Sequence, residues 1–234
     1  MTVTALVSGG KDSVYAAYLA DSQGWPVDEL LTFAPSDPES MLFHTPNVSL
    51  VALQAEAWGK RHRLVPIAGR GEADELDALD RALAGSRGPV VTGAIASSYQ
   101  WARVVRAADH HGRRVYAPLW RTDPMRVVRE EIAAGLDIRF VHLAAEPLPA
   151  EWVGERLTLD RLAELSRLDR EVRGVNVAGE GGEYETLVVD APFFSARIVV
   201  DRASTVVDRS TARLVISSAH LKRRTEVGPA STSL

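Results

Sequence analysis

The sequence predicts an α/β fold, a doubly wound, Rossmann-like parallel sheet followed by a smaller C-terminal mixed α/β element. Two observations predict it. Short runs rich in β-branched residues alternate with amphipathic segments as far as residue 143, and beyond that point strand-like runs follow one another without helical spacers. Thr2 to Val7 reads as the first strand, and Val14, Ala17 and Tyr18 form one apolar face of the helix after it. Glu29 to Phe33, Leu64 to Ile67, Pro89 to Thr92, Arg114 to Ala117 and Ile138 to Leu143 read as five further strands, apolar enough to be covered on both faces. Leu76, Leu79 and Leu83 recur along one crossover helix. Ala102, Val105 and Ala108 to Asp109 continue another, which Ser97 or Ser98 can cap.

Glu146-Pro147-Leu148-Pro149 breaks the chain, Leu159 to Val172 reads as a helix, and a Gly-rich segment follows at 179–182. Leu187 to Val189, Ala196 to Val200 and Leu214 to Ser217 then read as strands of a small mixed or antiparallel element. The expected organisation is a first domain at 1–143, a smaller one at 144–221 and a frayed tail at 222–234.

Composition narrows the function classes. A net charge of −4 offers no global basic field for nucleic acid or an anionic membrane. No apolar run approaches the roughly 18 to 20 residues of a membrane span, and no basic leader with a cleavage site opens the chain, so a cytoplasmic protein is expected. With no cysteine, disulfides, thiolate zinc sites and cysteine nucleophiles are excluded. The six histidines show no HxxxH or HxH spacing, so a structural transition metal is not expected.

The hexapeptide Ser8-Gly9-Gly10-Lys11-Asp12-Ser13 joins the first strand to the first helix. Two glycines let the backbone approach an anion, and the helix start adds unpaired NH groups and a favourable dipole. Ser8 and Ser13 add hydroxyl donors, Lys11 adds positive charge, and Asp12 fits beside a polyphosphate if it holds Mg²⁺. The string lacks the GxxxxGK pattern of a Walker A loop and is not GxGxxG. It resembles the SGGxDS signature of PP-loop, or N-type, ATP pyrophosphatases, which release pyrophosphate from ATP.

Further loops lie where α/β sheets place ligands, at carboxyl ends of strands. Met41 to Asn47 carries His44, Thr45 and Asn47; Gly93 to Gln100 gathers small and hydroxyl residues at a helix start that suits a second anion; Pro118-Leu119-Trp120 follows the fifth strand. Each alone reads more readily as loop and cap chemistry. Gly179 to Thr186 packs three glutamates, three glycines and a tyrosine into eight residues. It reads as a solvated hairpin turn or as a site for a cationic ligand.

Together these segments, from Ser8 to about Val200, are similar to the diphthine–ammonia ligases, PP-loop enzymes of the adenine nucleotide alpha hydrolase type. That family converts the carboxylate of diphthine on elongation factor 2 to the amide of diphthamide. Two departures stand out: Trp101 occupies a place where a basic residue is expected, and Asp123-Pro124 replaces Asp-Gln. The resemblance implies that Ser8, Gly9, Gly10, Lys11, Asp12 and Ser13 hold ATP with Phe33 and Ala34. Lys11, Asp12 and Ser13 would be catalytic, and Asp12 would hold Mg²⁺ with the phosphates. Acceptor and ammonia would fall to His44, Asn47, Gly93, Ser97, Ser98, Tyr99, Gln100, Arg103, Trp120, Glu180, Gly181, Gly182, Glu183, Tyr184, Glu185 and Thr186.

The implied chemistry is adenylation of a poorly electrophilic carboxylate, followed by displacement of AMP by ammonia; positioning and charge stabilisation suffice, without a side-chain nucleophile. Lys11 and Asp12 are expected to face the ligand, so that their removal leaves the fold intact. Free ammonia is the expected nitrogen source, since no cysteine exists to activate glutamine. A PP-loop ATP pyrophosphatase modifying another carboxylate or an RNA base and a non-catalytic nucleotide sensor remain open as alternatives, as does self-association.

Overall fold

The computed structural model describes residues 2–35, 47–67, 69, 71–144, 148–172, 175–208 and 211–224. Five parallel strands form the first sheet: β1 (Val3–Leu6), β2 (Val27–Pro35), β3 (Arg61–Ile67), β4 (Val90–Val91) and β5 (Val115–Tyr116), in the order β3-β2-β1-β4-β5. The order reverses between β1 and β4, the switch point beyond whose strand ends α/β proteins bind ligands. Helices α1 (Lys11–Ser22), α2 (Val51–Trp58), α3 (Glu72–Ala84) and α4 (Ser98–His110) connect these strands in turn.

Packing decides which residues of each element are buried. Helix α4 buries Val104, Ala107 and Ala108, while Ala102 of the expected apolar stripe is exposed and Val105 half-buried. Strand β3 is a sheet edge and leaves Leu64 45% exposed, so it is not covered on both faces. Pro66, which lacks an NH, is tolerated at such an edge.

After β5, α5 (Pro124–Ala133) leads into β6 (Asp137–Leu143), which does not extend the parallel sheet as expected. It joins a second, antiparallel sheet with β7 (Tyr184–Asp190), β8 (Ala196–Asp208) and β9 (Thr211–Arg223), in the order β7-β6-β9-β8. The reason is visible in its residues: buried Ile138, Phe140 and Leu143 interleave with half-exposed Asp137, Arg139 and His142, a two-faced pattern suited to antiparallel pairing. Helix α6 (Leu159–Val172) covers this sheet. One apolar cluster runs from Val3, Val14 and Val91 through Val128 and Phe140 to Leu165 and Tyr184, binding the two sheets together.

Strand β9 reaches Arg223, and Arg224 donates to Asp190 and to the Ala191 carbonyl, so Lys222, Arg223 and Arg224 are held by the sheet and not frayed as expected. No helix among the described residues is long and apolar enough to cross a membrane.

Candidate active site

The Ser8–Ser13 loop sits at the carboxyl end of β1 and is held from three sides. Gly9 adopts φ +89°, a left-handed conformation that favours glycine, and its carbonyl accepts from Val188 NH at 3.0 Å and Gln54 Nε2 at 3.0 Å. Gly10 precedes α1 without a side-chain cap. Ser13 Oγ donates to Gly10 O at 3.0 Å, accepts from Ser8 NH at 3.2 Å and lies 3.3 Å from Ser8 Oγ. Thr186 Oγ1 on β7 accepts from Lys11 NH at 3.1 Å, so the second sheet braces the first turn of α1.

Lys11 and Asp12 diverge. Asp12 is 26% exposed and Lys11 only 1% exposed, yet both border the cleft that opens toward Glu180 and Tyr184. Lys11 Nζ donates to Asp12 Oδ1 at 2.7 Å and to Ala178 O at 2.8 Å, and Glu131 Oε2 lies 3.9 Å away. Burial by itself would lower the ammonium's pKa, but Asp12, Glu131 and Tyr184 outweigh it and the net shift is upward.

Glu131, on α5, is fully buried, and neither carboxylate oxygen finds a hydrogen-bond partner among the described residues. Burial raises its pKa well above the usual carboxylate range; Lys11 opposes the rise and Asp12 adds to it. A proton on Glu131 relieves an otherwise buried charge. Sequence reasoning missed this residue, and its signal is modest: Glu131 shares the buried face of α5 with Val127 and Val128. Gln54, which ties Gly9 to the Val188 carbonyl, was missed too.

Gly93 closes the site from β4. A Cβ there would lie 2.7 Å from the Asp12 carbonyl group and from Ser13 N, so glycine alone permits the β4 loop to abut the first turn of α1. Ser97 caps α4 by accepting from Gln100 NH. The second anion expected at this helix start is supplied internally: Glu180 Oε2 accepts from Ala96 NH at 2.8 Å. Burial raises the Glu180 pKa, with the Ala96 NH opposing and Asp12 adding. The loop after β5 is tied in by Arg121 NH donating to Ile95 O at 2.7 Å.

Two clefts flank the loop. One runs between the strand ends and α4, lined by Leu6, Leu31, Phe33, Thr92, Gly93 and Val104; the other opens toward Ala178, Gly179, Glu180, Tyr184, Glu185 and Thr186. Gln100, Asp12 and Glu180 line both. Tyr184 is buried, its hydroxyl donates to Val177 O at 2.6 Å, and burial pushes its pKa upward. The cation over its ring is Lys11, 5.8 Å from the centroid. Glu183 closes the turn beside it, accepting from Asn176 NH and Gly181 NH, and Gly182 takes φ +83°.

The remaining described residues singled out in the sequence line neither cleft. Asn47 adopts φ +58°, donates to Leu214 O and accepts from Ile216 NH, tying the start of a short 3-10 helix to β9. Ser98 is exposed, and Ala34 pairs in register with Pro66. Arg103 stacks on Tyr99 at 3.3 Å and bonds Glu72. Trp120 stacks on Trp101 at 4.8 Å, which accounts for an aromatic residue at 101, while Asp123 caps α5 with Pro124 in its first turn. His44 lies outside the described residues.

Comparison with known proteins follows the same map. A diphthine–ammonia ligase of Rattus norvegicus is 31% identical over 98% of this chain and 96% of its own length. One of Danio rerio is 31% identical over 97% and 99%. A solved structure from Methanocaldococcus jannaschii, described as a predicted subunit of tRNA methyltransferase, superposes with a TM-score of 0.45 at 16% identity. It covers 82% of this chain and 98% of that one, a likeness too distant to bear on function. Residues 1–115 match the diphthamide synthase N-terminal domain and residues 123–225 the C-terminal domain, in the order the two sheets are built, and the chain therefore belongs to the diphthamide synthase family.

Proposed function

We propose that this chain is a diphthine–ammonia ligase that adenylates the carboxylate of diphthine on elongation factor 2 and lets ammonia displace AMP. The observation that carries the reading is the Ser8–Ser13 loop at the β1/β4 switch point, braced by Thr186 and Gly93, in a chain of this family. The apolar cleft at Leu31, Phe33 and Val104 receives the adenosine, and the loop NH groups receive the phosphates. Asp12 and the Ser8 and Ser13 hydroxyls offer the hard oxygen donors that suit Mg²⁺. Bound there, Mg²⁺ would neutralise charge on the departing pyrophosphate.

The cleft bordered by Gly179, Glu180 and Glu185 receives the acceptor. Its two carboxylates suit the quaternary ammonium of diphthine. Glu180, holding the Ala96 NH, occupies the position that a substrate carboxylate would take at the start of α4. Lys11 acts from below by fixing Asp12 and by adding buried positive charge where the α-phosphate becomes crowded with negative charge. Ammonia enters as the free species.

The test supplies purified protein with ATP, diphthine-bearing elongation factor 2 and either ¹⁵N-ammonium or amide-labelled glutamine. Acceptor-dependent AMP and pyrophosphate, with label arriving from ammonium, is the expected result. Formation of ADP and phosphate, or turnover independent of the acceptor, would overturn the assignment.

A further inference from the structure

We propose that Asp80, His110 and His111 form a binding site for one divalent transition-metal ion of the zinc type, at the end of α4 remote from the nucleotide loop. The inference goes beyond the ligase reading and does not depend on it. No spacing in the sequence announces the site, because its carboxylate comes from α3 and its imidazoles from the last turn and cap of α4. The three ligand atoms lie within 4.8 Å of one another. His110 Nδ1 is 2.7 Å and His111 Nε2 is 3.1 Å from Asp80 Oδ1. Ligands around a tetrahedral zinc, with bonds near 2.0 to 2.2 Å, sit about 3.3 Å apart, so small side-chain adjustments bring all three to one ion.

Three features set this cluster apart from a surface His–Asp contact. His111 Nε2 is sealed from solvent and makes no well-aligned hydrogen bond among the described residues although it lies 3.1 Å from Asp80 Oδ1, so a metal ion there displaces no established bond of this nitrogen. The chain beyond it is pinned: Gly112 takes φ +62°, Arg113 NH returns to Ala108 O, and the Arg113 side chain donates to Leu83 O near the end of α3. His111 is thereby held opposite Asp80. The site also lies at the C-terminal end of α4, where the helix dipole favours a cation.

Two imidazoles and one carboxylate select zinc, cobalt, nickel or copper over Mg²⁺ or Ca²⁺. The metal takes the place of the hydrogens facing Asp80, with the ring protons carried on Nε2 of His110 and Nδ1 of His111. The His110 side chain is 70% exposed, so the fourth position is open to water. An ion there staples α3 to α4.

The test titrates chelator-treated full-length protein with ZnCl₂ by calorimetry and with CoCl₂ by visible absorption. One equivalent should bind with a Kd in the micromolar range or tighter, with cobalt d–d bands of a four- or five-coordinate site. Zinc at a hundred times its Kd should raise the Tm by roughly 5 to 10 °C, and MgCl₂ should not. Asp80→Asn and His111→Gln should each weaken binding at least tenfold and abolish the cobalt bands, while both variants fold and retain basal ligase activity. His220→Gln, which alters a different His–Asp pair, should bind zinc as the parent does. Binding only at millimolar metal, or equal binding by the Asp80 and His111 variants, would overturn the site.

Discussion

Replacing Lys11 by Met tests whether its buried ammonium is structural as well as functional. The substitution preserves most of the side-chain volume but removes the bonds to Asp12 and Ala178 O. Asp12 is 26% exposed and can rehydrate, so its loss is softened. The Ala178 carbonyl loses its donor in a buried setting, at about 1 to 3 kcal/mol, and a charge-assisted bond contributes a further 1.5 kcal/mol or so. Glu131, whose pKa burial already raises, is driven further toward its protonated form without the Lys11 cation, which limits its share. The sum, on the order of 3 kcal/mol, falls at the lower end for breaking a buried ion pair. For a chain of this size it corresponds to a Tm drop of about 6 to 12 °C. Thermal and urea unfolding at pH 7 should show that drop in Lys11→Met. Lys11→Met with Glu131→Leu should recover part of it, because the acid that lacks a donor is gone as well. Pyrophosphate release should be lost in both. A single variant within 2 °C of the parent, with strictly additive effects in the pair, would refute the buried-pair reasoning.

Gly93→Ala should lower turnover by about 10- to 100-fold, because its Cβ must move the α1 backbone from 2.7 to about 3.4 Å, a shift of about 0.7 Å at the phosphate loop; parental kcat would show that the loop tolerates the displacement. Burial lowers the His62 pKa, so the unfolded chain binds this proton more readily than the folded one. Stability should therefore fall as pH drops below about 6.5 toward the folded value, and His62→Gln should flatten that slope in urea midpoints measured from pH 7.5 to 5; an unchanged slope would count against it. Asp12→Ala should cut turnover by about 10² to 10³ and also lower the Tm, because it strips the buried Lys11 ammonium of its 2.7 Å carboxylate partner; an unchanged Tm would show that Ala178 O and Glu131 suffice to hold that charge. Glu183→Gln should raise the KM for protein acceptor more than for ATP, since it loosens the turn at 176–183; the reverse pattern would move that turn to the nucleotide.

The sequence by itself determined the fold class, most of the strands and the position of the Ser8–Ser13 turn between β1 and α1, because periodicity, capping and the glycine-rich string are local signals. Ser97 at the start of α4 and the Leu159–Val172 helix were legible for the same reason. Only the tertiary structure decided what depends on neighbours distant in the chain. It moved β6 into the antiparallel sheet, where its charged alternate residues face outward, and it buried Lys11 between Asp12, Glu131 and the Ala178 carbonyl. It put Glu180 on the Ala96 NH, and it brought Asp80 to a pair of histidines about thirty residues away in sequence. A local pattern fixes which backbone state a segment prefers, but the partner of a charge is set by which loops the sheet order places side by side.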